Sequence, residues 1–439
     1  MSLLHEVSSI EEAYNVKVQP LRSLDNQGPV EFSIPASPTD LTDLSNSFLS
    51  LSLCVKRAGK PVKHVKGTLT PDQIANPDTI DFNATDAAVG APDEDAALTC
   101  VNNLFHSIFS ECSLYLNNVL VEHQHHYDFT SYIQTLLEWD DEAKRSFLKY
   151  LLGWIPDTPA HFESNTGKNE AQVARQRYLL LNGKTCHLKA RLNLGCFDTD
   201  RLCPNHMSVR VVLHKNKPTF PLLYLGDVAS KPAGDYTIEI VDAQFEVRRL
   251  KLLPSALTEY ESTLTKELGR FPFTKTECKQ FNLPANQMDV SLDNMFAGDI
   301  PESVILVMLP NASYHGTLAT NPYKFHHYDI SEAALFTDNK CIPSPNGYKF
   351  NMASRKFVDS YMNLFAHGGK HGLTPNEFVG GSFIMLFDLN PGSKTTGTVS
   401  AKLRFNTALS ESVTLLAIAR YNVSYYVDQL RALSFTYVP

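Results

Sequence analysis

The sequence contains no stretch approaching the ~18 uninterrupted apolar residues of a membrane-spanning helix, so no integral membrane segment is expected. Its first residues, Met1-Ser2-Leu3-Leu4-His5-Glu6-Val7, show no basic end, no long apolar core and no small-residue cleavage site. A secretory signal is therefore not expected, and the chain reads as one made and kept in the cytosol or nucleus. The eight cysteines, at positions 54, 100, 112, 186, 196, 203, 278 and 341, form no Cys-x-x-Cys pair, and several sit inside apolar strand patterns. Buried free thiols are expected rather than a zinc site or a disulfide framework. Sequons begin at Asn83, Asn311 and Asn422 and, without export, should stay unmodified. Gly-x-Ser-x-Gly and Gly-x-x-x-x-Gly-Lys-Ser/Thr are missing too, so neither a nucleophile elbow nor a phosphate loop is present. The net charge of -8 argues against a protein that coats nucleic acid over its whole surface, while leaving room for a local basic face.

What is present is repetition. A chain of 439 residues is too long for one ordinary core and suits two domains of about 200 residues each. The stretch from Glu111 to Glu122 is an apolar run, the pair Asn117-Asn118 and a second apolar run, the pattern of a β-hairpin with a two-residue turn. It is echoed from Glu332 to Pro343, with Asp338-Asn339 at the turn. A helical segment follows each copy, 131–137 in the first and 360–366 in the second. Each copy then closes in alternating strands, 188–194 and 209–213 in the first, 399–405 and 413–419 in the second. Same parts in the same order indicate two copies of one domain.

Residues 1–28 read as a separate arm. Ser9 and Glu12 have the spacing of a capping box, which predicts one short helix there, ordered against a neighbour. The first domain spans 29–230; in it Leu49, Leu51, Leu53 and Val55 alternate with Ser50, Ser52 and Cys54, the period of a half-buried strand. A long surface loop is expected over 68–92, and Asp140 is placed to cap a helix running to Leu152. The second domain spans 231–430, opening on an alternating strand, 236–252, and then a helix with Pro254 at its first turn. Residues 431–439 form a tail. Many short strands with few helices in the connections predict an all-β fold, two tandem antiparallel jelly-roll sandwiches.

Candidate chemistry is sparse. His123-Gln124-His125-His126 is the most ligand-like cluster, with His123 and His125 expected on one face of a strand. The residues before it, 118–122, hold no Gly, and Asp128 is the nearest downstream carboxylate, so a solvated hairpin end is expected rather than a metal site. His326-His327, with only Asp329 nearby, reads the same way. Asp140-Asp141-Glu142 suits helix capping, Gly368-Gly369 and Gly380-Gly381 are isolated pairs, and Lys56, Arg57, Lys60, Lys63 and Lys66 read as a solvated loop. Arg248, Arg249 and Lys251 allow either a phosphate contact or a structural role. No catalytic residue, cofactor or metal ligand is expected.

Several segments resemble those of the double jelly-roll major capsid proteins of Polinton/Maverick elements and the related adintoviruses. They include Val30-Glu31-Phe32-Ser33-Ile34-Pro35, Asp200-Arg201-Leu202-Cys203-Pro204-Asn205, Asp293-Asn294-Met295-Phe296-Ala297-Gly298 and Asn321-Pro322-Tyr323-Lys324-Phe325, with 43–49, 104–109, 247–255 and 357–362. They run in order from about Val30 to about Tyr426. The resemblance implies a non-enzymatic structural role: three chains, each with two sandwiches, would form a pseudo-hexagonal capsomer of an icosahedral DNA-virus shell. Implied partners are the chain itself, neighbouring capsomers, a single jelly-roll penton minor capsid protein and packaged DNA in nonspecific contact. The implied location is the virion, assembled in the nucleus or cytoplasm. Loops 68–92, 161–176 and 366–377 would make tower and intersubunit contacts, with the arm and tail clipping neighbouring capsomers. Two other readings stay open, a domesticated host protein that keeps the fold, and a double jelly-roll hydrolase such as an amidase acting on glycoproteins.

Overall fold

The computed structural model describes residues 9–24, 28–66, 93–164, 168–338, 340–343, 346–367, 369, 371–389 and 396–437. Among the described residues, eight main strands make the first sandwich: β1 (Ile10–Val18), β2 (Val30–Ile34), β3 (Asp40–Arg57), β4 (Phe109–Leu116), β5 (Val119–His125), β6 (Cys186–Ala190), β7 (Val209–Lys215) and β8 (Tyr236–Leu252). They pair antiparallel as β1-β8-β3-β6 and β2-β7-β4-β5. The second sandwich has β9 (Gly269–Leu283), β10 (Asp289–Asp299), β11 (Ser303–Pro310), β12 (Ile330–Thr337), β13 (Lys340–Ile342), β14 (Ile384–Asp388), β15 (Thr396–Phe405) and β16 (Val413–Val427). Its sheets are β9-β16-β11-β14 and β10-β15-β12-β13. Adding eight to each first-copy label reproduces the second copy, so the chain is a jelly roll drawn twice.

The hairpins form where the sequence places them. Asn117 and Asn118 have φ of 47° and 63°, the positive values a two-residue turn between twisted strands requires. Asp338 has φ of 46° at the second turn. Helix α1 (Tyr127–Glu138) follows the first hairpin and α3 (Val358–His367) the second, while α2 (Pro254–Leu264) joins the sandwiches. All eight cysteines are unpaired and all but Cys341 are buried.

Several expectations are corrected. No helix forms at Ser9: Ile10–Val18 is an edge strand hydrogen-bonded to β8, and Tyr14 Oη donates to Asp40 Oδ2 at 2.7 Å. Pairing with a long neighbouring strand outweighs the local capping signal, since propensity is a weak prior. Tyr236–Leu252, read as the start of the second domain, lies between β1 and β3 and completes the first sandwich. The closing strands were consequently matched one strand out of phase: β7 corresponds to β15 and β8 to β16. Part of the tail is a strand of its own sandwich. Leu433–Phe435 pairs with β16, and the Arg431 guanidinium donates to Asn205 and Glu261. The helix expected from Asp140 to Leu152 is broken into Asp141–Arg145 and Leu148–Leu151. The predicted loop 68–92 lies outside the described residues.

Removing residues 1–18 should therefore destabilise the protein rather than merely detach an arm. Eight register pairs join β1 to β8, and at roughly 0.2–1 kcal/mol per pair the urea midpoint should fall measurably. An unchanged midpoint would mean that β1 is an appendage.

The two sandwiches share one core. Ten of the twelve residues of α1 are buried, and aromatic rings from both halves pack around it. Tyr132 stacks on Tyr323 with centroids 4.1 Å apart and planes 2° apart, and Phe129 meets Phe220, Tyr314 and Tyr323. At Gly195 the chain passes so close to β9 that a Cβ would stand 2.0 Å from the Thr274 carbonyl oxygen. No residue larger than glycine fits there without moving one backbone.

Candidate functional site

The first hairpin gathers the only ligand-like group of its kind among the described residues. Antiparallel pairing alternates the faces, so Glu111, Ser113, His123 and His125 share the outer one while Cys112, Leu114, Glu122 and Gln124 point inward and are buried. Register partners are Glu111 with His125 and Ser113 with His123. His123 Nε2 lies 3.0 Å from His125 Nε2, His123 Nδ1 lies 2.7 Å from Ser113 Oγ, and His125 Nδ1 lies 3.3 Å from Glu111 Oε1. One ligand atom from each of Glu111, His123 and His125 falls within 4.8 Å of the others. Burial, then the charge of His125, holds the His123 pKa below the usual histidine range.

The histidine run does not act as one unit. His126 turns away with φ of 53°, precedes α1 and packs against Tyr314. Asp128, the nearest downstream carboxylate in sequence, is buried and accepts from Phe129 N at 2.9 Å and Asn216 Nδ2 at 2.6 Å. Glu111, which sequence reasoning did not single out, takes its place. A bulge between Leu114 and Tyr115 shifts the register by one residue. Pairing counted symmetrically from the Asn117-Asn118 turn would have set Glu111 against Gln124. The bulge instead turns both histidines to the Glu111 face.

The remaining candidates serve structure. Asp140 Oδ1 accepts from Ala143 N at 2.8 Å, the expected cap. His327 Nδ1 accepts from Asp329 N at 3.0 Å, and burial lowers the His326 pKa to about 4. Lys56 pairs with Glu239, and Arg57 pairs with Glu94 and, at 2.8 Å, Asp95. Arg249 is buried and donates to Thr42 Oγ1 at 2.7 Å and to the Pro35 carbonyl, while Lys251 pairs with Glu11 at 3.2 Å. Gly380 ends the short helix Pro375–Val379, and Gly368 lies outside the described residues.

Two further features concern how the chain meets itself and others. At the seam, fully buried Asp157 and Arg175 pair at 2.9 Å. Asp157 also accepts from Asn169 Nδ2 at 2.8 Å and, across the seam, from Asn321 Nδ2 at 3.2 Å. On the surface, the insertion between fifth and sixth strands exposes apolar side chains in both sandwiches. In the first these are Trp139, Phe147, Tyr150 and Leu151; in the second, Val358, Met362 and Phe365.

The duplicated strand order defines the class: the chain has the double jelly-roll fold of viral capsid proteins. Its solved structural neighbours include PBCV-1 VP54, fitted into a reconstruction of the virophage Sputnik, at 10% identity, 99% of each chain and a TM-score of 0.59. A chain of the Sputnik virophage matches at 9% identity, 100% of this chain, 92% of its own and a TM-score of 0.62. The Faustovirus major capsid protein matches at 9% identity, 97% and 92%, with a TM-score of 0.58. In sequence, an uncharacterized protein of Caenorhabditis elegans is 19% identical over 345 residues, 77% of this chain and 72% of its own. No family model matches.

Proposed function

We propose that this chain is a major capsid protein of the Polinton/Maverick and adintovirus kind, and that three copies form a pseudo-hexagonal capsomer of an icosahedral shell. The observation that carries this reading is the repetition of one eight-strand order within a single chain. Six nearly equivalent sandwiches from three chains close a ring, and closed symmetry is the usual outcome of self-association. The paired apolar surfaces support it. In a head-to-tail ring, the patch around Phe147 on one chain would meet the patch around Met362 on the next. A fivefold position would take a single-sandwich partner, because two sandwiches per chain do not fit it. The location would then be the virion, with packaged DNA touched nonspecifically and assembly in the nucleus or cytoplasm.

Native mass spectrometry with electron microscopy tests this. A species of roughly three times 49.0 kDa with pseudo-hexagonal outlines is expected, and Phe147→Asp or Met362→Asp should return it to a single chain. A stable monomer in the unmodified protein would sink the proposal. The nematode source of the sequence relative favours one second reading, a copy resident in a host genome that keeps the capsomer without building virions. Trimers without closed particles in cells expressing the chain would select it.

A further inference from the structure

We propose that Glu111, His123 and His125 form a binding site for a divalent transition-metal cation of the zinc class. Two imidazoles and one carboxylate are a donor set of intermediate softness, suited to zinc and its neighbours rather than to calcium or magnesium. The spacing agrees with a shared ion. Two nitrogen ligands on a tetrahedral zinc at about 2.0–2.1 Å stand about 3.3 Å apart; His123 Nε2 lies 3.3 Å from His125 Nδ1, and that same Nδ1 lies 3.3 Å from Glu111 Oε1.

The surroundings aim the ligands. Ser113 Oγ lies 2.7 Å from His123 Nδ1, where it can accept a hydrogen bond from Nδ1–H and so leave the lone pair on Nε2, the atom that faces His125. This is the supporting hydrogen bond that metal-bound histidines ordinarily make to their second nitrogen. The three ligands stand on two paired strands, so the backbone that holds them is already ordered. His214 of β7 is the register partner of Glu111 on its other side, exposed on the same face, where a side-chain rotation can supply a fourth donor. With His125 exposed, the coordination sphere opens to water, and the ion would tie β4 to β5 at the open end of the hairpin.

The test uses the untagged full-length protein, stripped with chelator and titrated with zinc in a calorimeter, with cobalt absorption as a second reading of geometry. One equivalent per chain is expected, with a Kd on the order of 10 µM or tighter. His123→Ala and His125→Ala should each weaken binding by about tenfold or more, and Ser113→Ala by less. His187 is the control. It stands on β6 with Nδ1 2.8 Å from Ser52 Oγ, a matching His–Ser pair outside the site, and His187→Ala should change nothing. Because an alanine variant can lose folding, Glu111→Gln is included. It should weaken binding by about tenfold while the metal-free melting curve stays that of the unmodified protein. Binding weaker than about 0.1 mM, equal binding in the His123 and His125 variants, or equal loss in His187→Ala would overturn the proposal.

Discussion

Asp157→Ala should cost about 3–5 kcal/mol, the penalty of leaving a buried charge without its partner. Arg175 is fully buried; besides Asp157 its guanidinium donates to the carbonyls of Ile155 and Cys100, which supply partial charges but no counter-charge. The loss spreads, because Asn169 and Asn321 both donate to the same carboxylate; Asn321 Nδ2 would lose its acceptor, and Asn169 Nδ2 would keep only the Phe162 carbonyl at 3.5 Å. Asn321 belongs to the second sandwich, so the damage should reach the seam as well as the first core. Chemical denaturation should show a lower midpoint and a broadened transition. Asp157→Leu combined with Arg175→Met should recover part of the loss, since removing both charges is far cheaper than stranding one. Equal midpoints for Asp157→Ala and the unmodified protein would mean that the pair is solvated and contributes nothing to the seam.

The second large effect is a pH dependence carried by Asp128. Burial raises its pKa from 3.8 to about 7, against the opposing hydrogen bonds from Phe129 and Asn216. The folded state therefore holds this proton more tightly than the unfolded state does. The contribution is fully present below the unfolded value and is lost as pH rises through the folded one. A shift of this size corresponds to on the order of 4 kcal/mol between about pH 4 and pH 7. Asp128→Asn does not titrate, so the stability of the unmodified protein relative to this variant should fall by that order as pH rises across the window. Urea titrations at several pH values measure it. A difference that stays flat would show that Asp128 is ionised and paid for by its two donors.

The parts of the fold visible in the sequence are those with a local signature. Asn117-Asn118 and Asp338-Asn339 mark turns because few residues tolerate positive φ, and the apolar stripes after them mark α1 and α3. Strand phase was not visible. Alternation with a period of two looks the same in β6, β7, β8, β15 and β16, and nothing in it says which sheet a strand will join. A long connection separates Ala190 from Val209 in the first copy and a short one separates Asp388 from Thr396 in the second, so the spacing of the closing strands does not reveal which of them correspond. The strand β1 was hidden because most of its side chains are exposed on both faces, which erases the alternation. At the hairpin, the two histidines were legible as a pair. Glu111 was not, because its place depends on the single-residue bulge between Leu114 and Tyr115.

Because aromatic rings of both sandwiches close around α1, the repeat in the sequence is not a repeat in stability. A chain severed between β8 and β9 would give one piece missing the ring of Tyr323 from its stack on Tyr132, and another carrying Tyr323 and Phe325 uncovered. Neither half of the present chain could therefore stand alone without its inner wall being rebuilt.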